Sequence, residues 1–182
     1  MDVEDMGDEP SLRALTKRLV AADAGSRALS VAVCAALDIR PDWLAAGNGE
    51  LWADGETLRW RDAQFRRRSS GNPSAEYLDA TVGLDAAVEL VGRVLPGWWW
   101  TAGRCGLTCH ASVGPDRAFI AEPELTRFDD GFHADIENPS TPAIALCVAV
   151  LRAVQARRLT SKRKDGASLS PSNPSHNPGE EG

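Results

Sequence analysis

Three sets of residues have types and spacings that could do chemistry. Cys105, Cys109 and His110 set two thiols beside an imidazole, the soft donors that suit zinc. His110, His133, Asp135 and Glu137 bring imidazoles near carboxylates, the pairing used in general-base work. Arg66-Arg67-Arg68, and Arg157-Arg158 with Lys162-Arg163-Lys164, are basic clusters that attract phosphate. What each set can do depends on the elements that carry it.

The element that carries most of them starts at Leu95-Pro96-Gly97-Trp98-Trp99-Trp100. Upstream, Leu84, Ala87, Val88, Val91, Val94 and Leu95 fall on one helical stripe. Pro96 cannot continue that helix, and Gly97 frees the backbone to turn. Three consecutive tryptophans suit a pleated strand. With Gly103-Arg104-Cys105-Gly106 read as the turn of a hairpin, Trp98 is expected opposite Ala111, Trp99 opposite His110, Trp100 opposite Cys109 and Ala102 opposite Leu107. Alternation then gives Trp98, Trp100, Leu107, Cys109, Ala111 and Val113 one face, and Trp99, Thr101, Thr108 and His110 the other. Trp98 and Trp100 are expected in the core, against the helix before them and the last helix of the chain.

The same alternation decides between the chemistries. Cys109 and His110 are strand neighbours and face opposite ways, so no metal site is expected. Phe132, Ala134 and Ile136 alternate with His133, Asp135 and Glu137, a strand with one wet face. No activated nucleophile, phosphate loop or serine elbow accompanies the imidazoles, so no catalytic residue is assigned and no cofactor is expected. The residues left as candidates are Trp99, His110, His133 and Asp135, on the polar face of a sheet. If the N-terminal helices leave that face uncovered, it is the kind of patch that marks an interaction site.

Around this unit, Ser11 and Ser26 are placed to cap two short helices, with Leu12, Leu15 and Leu19 inward on the first and Leu29, Ala32, Val33, Ala36 and Leu37 inward on the second. They read as a helical hairpin over 11–40. Leu51-Trp52-Ala53 and Leu58-Arg59-Trp60 flank Asp54-Gly55, a hairpin-turn dipeptide, inside an insertion spanning 45–80 that continues as a basic loop from Arg66 to Pro73. A long connection is expected from Pro115 to Gly131. Thr141-Pro142 is an N-cap followed by proline at the first helical position. The helix it opens runs through Ile144, Cys147, Val148, Leu151 and Val154, is apolar around much of its girth, and has Arg157 and Arg158 near its C-terminus. Residues 1–10 are expected to be flexible. A single domain is expected over 11–159, and the Ser-, Pro- and Gly-rich tail over 160–182 is expected to be disordered.

Composition limits the classes. The chain has 182 residues, a formal net charge of −6 and 43% hydrophobic residues. That content suits one domain with a real core, and the acidity disfavours a generic nucleic-acid binder. No apolar run is long enough for a membrane span, the acidic start is unlike a signal peptide, and the four cysteines read as reduced thiols of a cytoplasmic protein.

Taken in order, Leu84-Asp85-Ala86-Ala87-Val88-Glu89-Leu90, then Leu95-Pro96-Gly97-Trp98-Trp99-Trp100, then Thr141-Pro142-Ala143-Ile144-Ala145-Leu146-Cys147, ending Leu151-Arg152-Ala153, resemble the phage ABA sandwich domain of small phage and prophage proteins. The helices from Leu12 to Leu37 resemble segments that precede that domain. Where family members tend to carry Tyr-Thr, this chain has Ala80-Thr81. The resemblance implies an α/β sandwich with no assigned activity and supplies no catalytic residue.

The expected fold is therefore α+β, a three-stranded antiparallel sheet packed by helices, with an N-terminal helical hairpin and a small inserted β-hairpin. The expected function is that of a non-enzymatic phage or prophage accessory protein that binds a protein partner. Two other readings compete with it: a nucleic-acid binder using the basic loop and the C-terminal cluster, whose rough topological echo of double-stranded-RNA-binding domains is fold-level analogy alone, and a small enzyme using His110 and His133.

Overall fold

The computed structural model describes residues 12–40, 49–61, 67–69, 77–115, 132–137 and 141–167. Among them the elements run α1 (Leu12–Val20), α2 (Arg27–Ala36), β1 (Glu50–Asp54), β2 (Thr57–Arg61), β3 (Arg67–Ser69), α3 (Leu84–Val94), β4 (Trp98–Cys105), β5 (Thr108–Pro115), β6 (Phe132–Glu137) and α4 (Pro142–Ala167). The class is α+β. The expectations for residues 1–10, the Ser11 cap, the stretches 41–48 and 70–76, the connection over 116–131 and the tail beyond 167 lie outside the described residues.

The last helix is the centre of the core. Thr141 caps it as its sequence predicts: the hydroxyl accepts from the Ile144 N–H at 3.3 Å, and Pro142 occupies the first turn, where a missing N–H costs nothing. Every side chain from Ala143 to Leu151 is buried, on all sides of the helix. A helix without a polar stripe must be enclosed, and three elements enclose it. The β4–β5–β6 sheet lies along one side, meeting α4 mainly through β5 and β6, and α1 and α3 pack against α4 as well. The helix continues to Ala167, past the boundary expected at 159, carrying Thr160 and the residues after it as helix rather than tail.

The two N-terminal helices form where the pattern places them, and Ser26 caps α2 by accepting from the Leu29 N–H at 3.2 Å. They pack less against each other than a helical hairpin would. Leu15 and Leu19 are buried and α1 lies chiefly on α4, whereas α2 lies against β1 and β2.

A closed set of hydrogen bonds ties α2 to the segment before α3. The Thr81 N–H donates to Ser30 Oγ at 3.1 Å, and Thr81 Oγ1 donates to the Ser26 carbonyl at 2.9 Å. Thr81 Oγ1 accepts from the Ser26 N–H at 3.2 Å and lies 2.9 Å from Ser30 Oγ. One hydroxyl has one proton, so Ser30 is the donor in that last contact. Ser30 and Thr81 are fully buried, and each is satisfied. The approach is close enough that a Cβ at Gly25 would stand 1.8 Å from the Thr81 carbonyl oxygen.

The small sheet has the order β1-β2-β3. Asp54 pairs with Thr57, so the two-residue loop is Gly55-Glu56, one residue beyond the expected dipeptide. Gly55 has φ +60 and Glu56 is not among the positive-φ residues, which is the pattern of a type II′ turn. Arg67–Ser69, expected as part of a basic loop, is strand β3: Arg68 pairs with Trp60 and Arg67 with Arg61. The insertion is not peripheral to the core, because Leu51, Leu58, Trp60, Tyr77 and Ala80 are all buried. On α3, Ala87, Val91 and Leu95 are buried as the stripe predicts and Leu90, outside the stripe, is buried as well, but Leu84 at the first turn is exposed.

The hydroxyl set and the packing of α3 give two stability predictions. Thr81→Val keeps the shape but strands the Ser26 N–H and the Ser30 hydroxyl, and should cost about 1–3 kcal/mol. Gly92→Ala places a Cβ where nothing lies within 4 Å, in a helix where glycine is unfavourable, and should stabilise by about 0.5–1 kcal/mol. Urea unfolding midpoints of the two variants check both signs.

Candidate functional site

The site is built on the turn that follows α3. Leu95 accepts from the Trp98 N–H at 3.1 Å, with Pro96 and Gly97 between them and Gly97 at φ +78, the pattern of a type II turn. It sends the chain directly into β4. The β4–β5 hairpin then closes at Gly106-Leu107, not at Arg104-Cys105. Gly106 has φ +60, Cys105 pairs with Thr108, and Leu107 is 80% exposed at the tip. Arg104 secures this turn by donating from Nε to the Gly106 carbonyl at 3.2 Å.

The register differs from the expected one accordingly. Trp98 pairs with Pro115, Trp99 with Gly114, Trp100 with Val113, Ala102 with Ala111 and Gly103 with His110. Each β4 residue thus meets a partner four positions further along β5 than expected. An even displacement preserves facing. Cys109, Ala111 and Val113 are buried on the α4 side, and Trp99, Thr101, Thr108 and His110 share the other side as alternation predicts. Leu107 is the exception, since it lies in the turn.

Both tryptophans expected in the core, Trp98 and Trp100, are less buried than expected. Trp98 is half-buried: its ring stacks on Phe132 with centroids 6.1 Å apart, and the Arg157 guanidinium lies 5.9 Å from its centroid. Trp100 is on the α4 side but 41% exposed. The reason is the position of α4, which lies over β5 and β6 and covers the edge strand β4 less.

The face away from α4 is the candidate site. Trp99 is 41% exposed there. Its indole lies across Gly114, so that a Cβ at that position would meet Cζ2 at 2.5 Å and Nε1 at 2.8 Å. The His110 ring lies across Gly103, where a Cβ would meet Nε2 at 3.0 Å. Both are cross-strand pairs of a ring with a glycine. The missing side chain is what lets each ring settle on the backbone. Between them stands the Thr101–Ser112 pair. On the other side of β5, Thr108 pairs with Glu137, His110 with Asp135 and Ser112 with His133, so the register brings positions 133, 135 and 137 onto this same face. Sequence patterning therefore identified Trp99, His110, His133 and Asp135 as one group, but missed Gly103 and Gly114. Their signal was a glycine at each end of a strand pair rich in rings, readable once the register is known.

The other chemistries separate on geometry. Cys109 is buried on the α4 side while His110 is exposed on the open one, so they cannot bind one ion. Among the described residues no cluster of His, Cys, Asp and Glu is placed to hold a metal. Cys34 and Cys147 lie in the core, donating to the carbonyls of Leu78 at 3.6 Å and Ala80 at 3.3 Å. Burial pushes the Cys34 thiol up to about 12, against the lowering effects of its Leu78 contact and Arg93. Burial also pushes Cys147 up, with Cys34 nearby adding to the effect. Neither is a nucleophile. No helix among the described residues is long and apolar enough to cross a membrane.

No family model, no curated protein and no solved structure matches this chain.

The thiols provide a check on this geometry. Iodoacetamide at pH 8 should label Cys105, which is exposed, and spare Cys34, Cys109 and Cys147 in the native protein. The Cys34 thiol is raised from 9.0 to about 12 in the folded state, so its contribution to stability is present below pH 9 and is lost as pH rises towards 12. The urea midpoint should fall across that window. Mass mapping of the alkylated peptides and a pH series of unfolding curves read the two outcomes.

Proposed function

We propose that the protein is a non-catalytic binding module that works through the open face of the β4–β5–β6 sheet. The observation that carries this reading is the pair of rings, Trp99 and His110, each seated across a glycine of the neighbouring strand and left exposed. Rings braced against backbone lose little freedom on binding. His110, His133 and Asp135 share the face by register, and the one thiol on it, Cys105, stands at the hairpin tip with Thr108 as its strand partner and not a histidine or carboxylate, which favours binding over catalysis. The resemblance to the phage ABA sandwich domain, a family without assigned activity, agrees with an accessory role in a phage or prophage.

The nucleic-acid reading loses support because two arginines of its C-terminal cluster have structural contacts: Arg157 lies over Trp98 and Arg158 donates to the Ala36 carbonyl at 3.3 Å.

The test is retention from an extract of phage-infected bacteria on immobilised protein, comparing wild type with the Trp99→Ala/His110→Ala double variant. The reading expects a set of retained molecules that the double variant loses, with thermal midpoints of the two proteins close together. An identical set retained by both contradicts it.

A further inference from the structure

We infer that the open face, taken as the binding face, receives a neutral oligosaccharide chain laid along the β4–β5 hairpin. The inference rests on the reading above and adds the chemistry of the ligand. The described face positions are Trp99, Thr101, Gly103 and Cys105 on β4, Thr108, His110, Ser112 and Gly114 on β5, and His133, Asp135 and Glu137 on β6. None is arginine or lysine. Arg104, the basic residue of these strands, is on the α4 side by alternation and is engaged with the Gly106 carbonyl.

That inventory separates three kinds of partner. A nucleic acid draws most of its affinity from cations on phosphate, and the described face positions include no arginine or lysine. A protein interface is anchored by buried aliphatic and aromatic side chains with charged groups depleted at its centre. Here the centre is the hydroxyl pair Thr101–Ser112, and Trp99 is the single large apolar group among the described face positions. A sugar ring matches both parts of the surface. Its apolar C–H face is attracted to the negative face of an aromatic ring. Its rim of hydroxyls finds acceptors and donors in the hydroxyls of Thr101, Thr108 and Ser112 and in the His110 imidazole.

The spacing selects a chain over a single sugar. The Trp99–Gly114 and Gly103–His110 pairs are four residues apart along the hairpin, about 13–14 Å at the rise of an antiparallel strand. One sugar ring cannot reach both platforms. A linear oligosaccharide touches both, with the Thr101–Ser112 hydroxyls beneath its middle units.

The test is an amide and indole NMR titration of the full chain with cellohexaose, maltohexaose and chitohexaose, run in parallel with an oligodeoxythymidine and a proline-rich peptide. One of the neutral sugars should shift the Trp99 indole N–H together with the amides of Thr101, His110 and Ser112. Trp99→Ala should weaken that binding about five- to ten-fold, and Trp99→Phe should recover most of it. The amide spectrum of each variant reports whether the sheet is intact, and His110→Ala repeats the comparison if Trp99→Ala disturbs it. Shifts on this face from the peptide or the oligonucleotide, with none from the sugars, overturn the sugar assignment and leave the binding face standing. No shift on this face from any probe overturns both. Sugar binding that is undiminished in the folded ring variants also overturns the proposal.

Discussion

The enclosure of α4 is the constraint on which the rest of the structure depends. From Ala143 to Leu151 the helix offers no polar side and is buried throughout. Each fully buried Leu, Ile or Val side chain contributes roughly 1.5–3 kcal/mol relative to exposure. A surface ion pair such as Arg93–Glu89, on successive turns of α3, contributes about 0.3–0.5 kcal/mol. Apolar burial therefore decides the arrangement. The sheet provides one wall with a single face, α1 and α3 provide others, and the alternation of each strand makes the remaining face of the sheet polar. The open face is a consequence of where α4 is placed.

The residues of α4 also explain how so many elements reach it. Alternating small and larger side chains, Ala143, Ala145, Cys147 and Ala149 among Ile144, Leu146, Val148 and Val150, let neighbours approach on several sides at once. The segment at Ala80 and Thr81 is such a neighbour. Its Ala80 carbonyl takes the Cys147 thiol, and its Thr81 hydroxyl closes the hydrogen bonds with Ser26 and Ser30. A buried polar set is favourable when every member is satisfied, and this one joins α2 to α4 through a single residue pair.

Much of this was legible in the residues, for local reasons. Thr141-Pro142 and Ser26 mark helix starts because their side chains or missing N–H fit the first turn, and Pro96-Gly97 marks the exit from α3 because no helix continues through it. The polar face was legible because alternation survives any even displacement of the register. That same property hid the register itself: Trp98 opposite Ala111 and Trp98 opposite Pro115 give identical facing, and only the turn at Gly106-Leu107 distinguishes them. The exposure of Trp100 was not legible, since it depends on which strands α4 covers. Nor was strand β3, where pairing with β2 overrides the loop-like composition of Arg67–Ser69. The helix beyond Thr160 is a continuation of an established helix, which needs no new nucleus.

A face left open by core packing, carrying two braced rings and, among its described positions, no arginine or lysine, is the structural basis of the proposed binding function. Its central claim is that this face is open in solution, and solvent relaxation of the indole N–H signals by a soluble gadolinium chelate tests it most directly. The account predicts that the Trp99 indole N–H broadens strongly, while that of Trp60, 6% exposed in the small sheet, stays sharp. A Trp99 signal as protected as that of Trp60 would show the face to be covered and would contradict the account.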